Sequence, residues 1–216
     1  MMKKMLLSGG IFLIAFAVWT ALVRLANVQP LGPQKTEIGL AALNHWFHRL
    51  TGVHMTLYTL TDWLGLVPVA VCLVFAGVGL AQWIRRKSLC RVDVDILILG
   101  IYYAVVILAY LLFEMIPVNY RPVLIEGRLE ASYPSSTTLL VLCVMPTLVD
   151  QARYRLYGTA AKRWITMLSA AFSVCMVLGR LISGVHWLSD IVGGILLSAG
   201  LVCCYLTAVW TIRKKK

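Results

Sequence analysis

Arg180, His186 and Asp190 stand at the spacing Arg-x5-His-x3-Asp in an otherwise apolar stretch. An ionisable side chain at membrane depth costs roughly +2.5 to +3.5 kcal/mol even on insertion scales, so three together point to a polar cavity with a task. The four-residue interval between His186 and Asp190 stacks them on one helix face, where the carboxylate accepts the imidazole Nδ1 proton and leaves Nε2 free to attack. Arg180, across the Ser183-Gly184 break, offers a planar guanidinium whose fork matches phosphate oxygens. The plain alternative is an Arg-Asp structural pair with an incidental histidine.

A second set of polar residues lies upstream. Tyr120-Arg121-Pro122 and Ser132-Tyr133-Pro134-Ser135-Ser136-Thr137 both fall in the connection between two hydrophobic spans. In order and spacing, the three segments resemble the signatures of the type 2 phosphatidic acid phosphatase (PAP2) superfamily: Lys-x6-Arg-Pro, Pro-Ser-Gly-His and Ser-Arg-x5-His-x3-Asp. The resemblance covers roughly residues 114–194, and its third segment is the most specific. It implies that His186 is a nucleophile forming a phosphohistidine, that Asp190 orients it, and that Arg121 and Arg180 bind the phosphoryl oxygens. Ser135 and Ser136 match the serine region of the second signature and stand where a helix is expected to begin, so backbone N–H groups and the helix dipole can cradle an anion there.

Two positions depart from the family pattern. Thr137 replaces the histidine that ends the second signature, and Glu114 replaces the lysine that begins the first. A threonine hydroxyl donates a hydrogen bond but cannot act as a general acid near neutral pH, and such assistance is worth about 10²–10⁴-fold. Slow turnover is therefore expected, least impaired for diphosphates, whose phosphate leaving group needs little protonation. Glu114 would repel a phosphate, and is expected to pair with Arg121 or Arg180 or to point away. His45, His48 and His54 are candidates to replace the missing acid, against the plainer reading of interfacial polar residues.

These residues need a scaffold, and composition names it. The 216-residue chain is 60% hydrophobic and 13% charged, which indicates an integral membrane protein. Apolar runs long enough, at around 20 residues, to cross a bilayer core fall at 5–26, 64–84, 94–116, 139–149, 165–181 and 188–212, the fourth completed at its start by residues 135–138. The fold expected is an all-α, six-helix transmembrane bundle forming one domain over residues 1–216. The net charge of +11 is a topology signal and not a nucleic-acid signature. Lys3 and Lys4, then Arg85, Arg86, Lys87 and Arg91, then Arg153, Arg155, Lys162 and Arg163, then Arg213 with Lys214, Lys215 and Lys216 occupy alternate connections and both termini, as cytoplasmic segments do. Both termini are then cytoplasmic, and the three motifs converge on the outer face of the cell membrane.

Between the first two runs, residues 27–61 are the least apolar stretch. Pro30, Gly32 and Pro33 break the exit from the membrane, and Ile38, Leu40, Leu43, Trp46, Phe47 and Leu50 then recur at helical spacing, as in an amphipathic helix on the outer interface. Six cysteines have no metal-type spacing and read as small apolar side chains. The chain is thus expected to be a bacterial membrane lipid phosphatase without metal or cofactor. Its substrate would be a lipid phosphate or diphosphate of the undecaprenyl diphosphate, phosphatidic acid or phosphatidylglycerol phosphate type. Two alternatives stay open. One is a PAP2-like protein that binds lipid phosphate without turning it over, favoured by Thr137 and Glu114. The other is a small transporter using Arg180, His186 and Asp190 as an ion relay, against which the chain lacks the internal repeats usual in transporters.

Overall fold

The computed structural model describes residues 2–214; Lys215 and Lys216 of the basic tail lie outside the described residues. The apolar runs form long helices: α1 (Met2–Leu25), α4 (Leu66–Arg86), α5 (Val94–Met115), α7 (Thr159–Ile182) and α8 (Leu188–Arg213). Before α4, α3 (Met55–Leu64) joins it at Gly65, and the two read as one 32-residue apolar run. Among the described residues five helical runs are therefore long and apolar enough to cross a membrane, and the protein is a multi-pass membrane protein. Large apolar side chains such as Leu7, Ile14, Leu73, Ile101, Leu108 and Leu168 point out of the bundle, as a lipid-facing surface requires.

The sixth expected span is α6 (Ser136–Arg155). Its 20 residues reach about 30 Å as helix, but Asp150, Gln151, Arg153 and Arg155 make it less apolar than the other five. Position in the bundle explains that composition. Leu139 and Cys143 of α6 pack against Leu99, Tyr102 and Val106 of α5 and Leu197, Tyr205 and Val209 of α8, while Val141 and Met145 meet Met176 of α7. A helix surrounded by protein needs no continuous lipid-facing stripe, and its polar residues find partners inside.

The segment after α1 differs from the all-helical expectation. Gln29–Leu31 (β1) and Thr36–Ile38 (β2) form a small antiparallel hairpin, with Gln29 opposite Ile38; Pro30 lies in β1 opposite Glu37, and Gly32 and Pro33 fall in the turn. The expected amphipathic helix follows as α2 (Ala41–Thr51), with Trp46 and Leu50 exposed.

The basic helix ends are gathered at one end of the bundle. Arg155 of α6 and Arg213 of α8 both reach the Asp95 carboxylate of α5, at 2.8 and 3.4 Å, and Arg213 also pairs with Asp150 of α6 at 2.9 Å. Arg86 of α4 and Arg155 meet Asp93 at 2.9 and 3.3 Å. Asp150 further accepts hydrogen bonds from Trp210 and Tyr205. The three motifs lie at the opposite end, where the α5–α6 connection meets the α7–α8 turn.

Candidate active site

The site is assembled by a turn and a ladder. At the turn α7 ends and α8 begins, with His186 in the connection and not on the helix. Asp190 occupies the third position of α8, where its Oδ2 accepts the Trp187 backbone N–H at 2.9 Å and caps the helix. The expectation that His186 and Asp190 stack as neighbours on one helix face is corrected accordingly: their Nδ1 and Oδ2 stand 3.8 Å apart across a helix start. The turn needs a residue without a side chain, since Gly184 has φ +69° and a Cβ there would come 1.9 Å from the Gly52 carbonyl oxygen.

The ladder is the connection between α5 and α6. Tyr120 bridges Ala131, Arg121 N–H donates to the Glu130 carbonyl, and Ser132 N–H donates to the Asn119 carbonyl. Arg121 and Glu130 are thereby neighbours, and their side chains pair at 3.1 Å (Nε to Oε2). Beyond the ladder, the Tyr133 ring lies against α8 so closely that a Cβ on Gly193 would come 2.6 Å from it, and its hydroxyl bonds Thr20 of α1 at 2.7 Å. Ser132 is held in front of His186 as a result.

Ser132 orients the imidazole. His186 Nδ1 is 3.1 Å from the Ser132 carbonyl oxygen and 3.3 Å from its hydroxyl, and that hydroxyl donates to Asp190 Oδ2. A carbonyl oxygen only accepts, so the imidazole proton belongs on Nδ1 and the lone pair on Nε2. Arg121 Nη1, which only donates, lies 3.4 Å from Nε2 and fits the same tautomer. Burial, and then the positive charge of Arg121, hold the His186 pKa down at about 4 in spite of Asp190. The ring is neutral at pH 7, as a nitrogen nucleophile must be.

His186, Arg121, Ser132 and Ser136 line one cavity of about 180 Å³, together with Glu114, Glu130 and Tyr110. Ser135 and Ser136 begin α6 as expected; Ser135 N–H donates to the Asp190 carbonyl, and its buried hydroxyl has no hydrogen-bond partner among the described residues. A second cavity, an apolar groove of about 540 Å³, runs between α4, α5 and α6 past Leu66, Val69, Ile107 and Leu140, and shares Tyr110, Ser136 and Leu139 with the first.

Arg180 and Thr137 do not line the cavity that contains His186, although Thr137 lines the groove. Arg180 is buried, pairs with Asp62 of α3 at 3.1 Å and donates to Thr137 Oγ1 at 2.5 Å. Its guanidinium lies 4.8 Å from the centre of the Tyr58 ring, and that of Arg121 lies 5.7 Å from the same ring. Glu114 makes no ion pair among the described residues. The carboxylates that hold the two arginines are Glu130 and Asp62, not Glu114. None of His45, His48 and His54 reaches the cavity: His48 Nε2 bonds the Gly184 carbonyl at 3.1 Å and His54 Nε2 the Thr51 carbonyl at 2.9 Å.

Sequence reasoning assigned no role to Ser132, Glu130, Asp62 or Asn119. Asn119 is fully buried, with its side chain 3.5 Å from Asp190 Oδ1 and 3.4 Å from Ser189. Their only signal was proximity to Arg121 and Pro134, or, for Asp62, a charge beside an apolar run.

A family model described as PAP2 superfamily matches residues 69–214. Among solved structures, the fold is similar to the crystal structure of the first transmembrane PAP2-type phosphatidylglycerolphosphate phosphatase from Bacillus subtilis, with a TM-score of 0.66 and 15% sequence identity over 95% of this chain and 96% of that one. No curated protein matches the chain.

Proposed function

The chain belongs to the PAP2 superfamily, and from that premise we propose that it is a membrane lipid phosphatase whose nucleophile is His186. The supporting observation is the imidazole itself: Nδ1–H is fixed by Ser132 and the Nε2 lone pair faces a cavity that contains Arg121 and joins an apolar groove. A lipid phosphate or diphosphate fits that arrangement, with its head in the cavity and its chain in the groove. The undecaprenyl diphosphate, phosphatidic acid and phosphatidylglycerol phosphate types are its candidate substrates. In this reading the bundle has six spans with both termini cytoplasmic, so the site faces the outer side.

Nε2 attacks phosphorus while the bond from phosphorus to the leaving oxygen breaks, giving a phosphohistidine and a lipid alcohol or lipid monophosphate. Water then attacks the phosphohistidine and releases inorganic phosphate. Arg121 and the first N–H groups of α6 stabilise the charge on the transferring group. Asp190 holds the ring and, with Ser132, balances the imidazolium character that develops. Thr137 offers no acid for the leaving oxygen, so water protonates it, and turnover is slowest for alkoxide leaving groups.

One observation favours a second reading, a lipid-phosphate-binding protein without turnover. Arg180 is engaged by Asp62 and Thr137 and must leave them to reach a phosphoryl oxygen in the cavity. Phosphate release by the purified protein and by Thr137→His, across monoester and diphosphate lipids, separates the two. Release from at least one lipid supports the phosphatase, whereas tight binding with no release from either protein supports the binding reading.

A further inference from the structure

Arg180 lies outside the His186 cavity, yet only part of its guanidinium is engaged. Nη2 donates both to Asp62 Oδ1, at 3.1 Å, and to Thr137 Oγ1; Nη1 has the Thr61 hydroxyl at 3.5 Å, and the buried Nε has no hydrogen-bond partner among the described residues. A buried N–H without an acceptor is costly, and a guanidinium fork is suited to grip an anion through two nitrogens at once. Asp62 uses one of them. The fork therefore keeps donors that a further acceptor would satisfy.

The pair is also asymmetric. The Arg180 side chain is 2% exposed and that of Asp62 is 57% exposed, so the carboxylate is free to swing into the groove while the enclosed guanidinium has to keep an anion. The fold sets this contact. Tyr58, Thr61 and Asp62 are spaced three and four residues apart on α3 and share one helix face, and that face meets α7. His54 N–H donates to the Ser183 carbonyl at 2.9 Å and ties the start of α3 to the α7–α8 turn, and Thr61 packs so closely that a Cβ on Gly179 would come 2.6 Å from its methyl group. The Tyr58 ring lies against the guanidinium groups of both Arg180 and Arg121. Asp62 lines the apolar groove with Thr137 and Ser136, and Ser136 also lines the His186 cavity. The carboxylate thus stands where the groove meets the cavity.

We propose that Asp62 is a positioning residue that acts through Arg180: it occupies the guanidinium while the site is empty, yields it to the phosphoryl oxygens of a bound head, and takes it back as inorganic phosphate leaves. A terminal phosphate carries more charge than one carboxylate and offers three acceptor oxygens, so the exchange runs toward the ligand on binding. The returning carboxylate then competes with the product. This rests on the lipid-phosphate reading of the site and adds how the empty site stores its second arginine.

The test measures equilibrium binding of inorganic phosphate and of hexadecylphosphonate, a lipid phosphate analogue whose carbon–phosphorus bond is not hydrolysed, to the purified full chain in detergent. Asp62→Asn removes the competing charge and should tighten both about three- to tenfold, the span of a partly exposed ion pair, and Asp62→Glu should return binding to the parental value. In an Arg180→Gln background, Asp62→Asn should change binding by less than about twofold, because the two residues are coupled. Thermal unfolding checks that each variant is folded, and Asp62→Ser replaces an Asp62→Asn protein that is not. Unchanged or weaker binding of hexadecylphosphonate by the folded variant overturns the inference and leaves the lipid-phosphate reading standing. The same tightening without Arg180 also overturns it, since it would show a long-range charge effect and no exchange on the guanidinium. Binding of hexadecylphosphonate by neither the parent nor Asp62→Asn defeats the lipid-phosphate reading and this inference with it.

Discussion

The His186 imidazole is oriented first by the Ser132 backbone, at 3.1 Å from the carbonyl oxygen, and only then by the Asp190 carboxylate at 3.8 Å. A backbone carbonyl cannot be removed by a side-chain substitution. The tautomer is therefore set by the fold of the α5–α6 connection, while Asp190 serves both the imidazole and the start of α8.

Asp190→Asn should accordingly lower kcat by about 10–10²-fold, less than the about 10⁴-fold loss known where a carboxylate alone fixes the tautomer. Because Asp190 also caps α8, the variant should lose stability, by about 1 kcal/mol. Steady-state rates and thermal unfolding of the same preparations check both. A 10⁴-fold loss in a folded protein would mean that the carboxylate, not the carbonyl, sets the tautomer.

Ser132→Ala keeps the carbonyl and removes the hydroxyl that bonds Asp190. A buried carboxylate deprived of one donor costs about 1–3 kcal/mol, so the main effect should be on stability, with a rate loss smaller than that of Asp190→Asn. A larger rate loss would assign the hydroxyl a direct part in the reaction.

The depressed His186 pKa sets a pH dependence. Since the ring binds its proton only near pH 4, the nucleophile stays competent well below the usual imidazole range, and the acid limb of kcat/KM assigned to it should fall near pH 4 and not near 6.5. Stability moves with the opposite state in mind: the unfolded chain takes up the proton first, so this group makes folding less favourable as pH drops from about 6.5 to about 4. A limb near 6.5 that is absent from substrate titration would contradict the burial of the ring.

Thr137→His tests the departure from the family pattern. Threonine accepts a hydrogen bond from Arg180, and an imidazole there would meet the same guanidinium from the groove side. Turnover should rise by about one to four powers of ten, most for monoesters. The absence of any gain in a folded protein that still binds lipid phosphate would locate the block at Asp62 or Glu114.

At the other end of the bundle, Arg213→Ala leaves Asp95 and Asp150 short of a partner. Breaking a largely buried pair costs about 3–5 kcal/mol. The melting temperature in detergent should fall clearly, while binding of lipid phosphate at temperatures where the protein is folded stays unchanged. Lost binding without lost stability would show coupling between the two ends.

How far the sequence could be read follows from which signals are local. Apolar runs are local, and the spans ending near Leu25, Arg86, Met115, Ile182 and Arg213 were legible to within a few residues. The helix α3 was not, because Thr59, Thr61 and Asp62 interrupt its apolar pattern; Thr61 and Asp62 are turned toward Arg180 of α7, and the exposed Thr59 bonds the Met55 carbonyl of its own helix. Likewise α6 read as residues 135–149 and its end was missed, since its polar C-terminal turns are satisfied by partners more than fifty residues away. Motif spacing brought His186, Arg121 and Ser136 to one cavity. It did not reveal that Arg180 is turned toward Asp62, nor that Ser132 stands between His186 and Asp190, because both depend on how distant segments pack.

The most direct test of the phosphatase account is a search for the covalent intermediate. The purified chain, and Thr137→His beside it, are mixed with a lipid phosphate or diphosphate that they hydrolyse, quenched under alkaline conditions that preserve phosphohistidine, and digested for mass spectrometry. The account predicts one phosphoryl group on His186 during turnover, and neither modification nor phosphate release in His186→Ala. Phosphate release by His186→Ala at the parental rate, or turnover with the phosphoryl group on another residue, would contradict it.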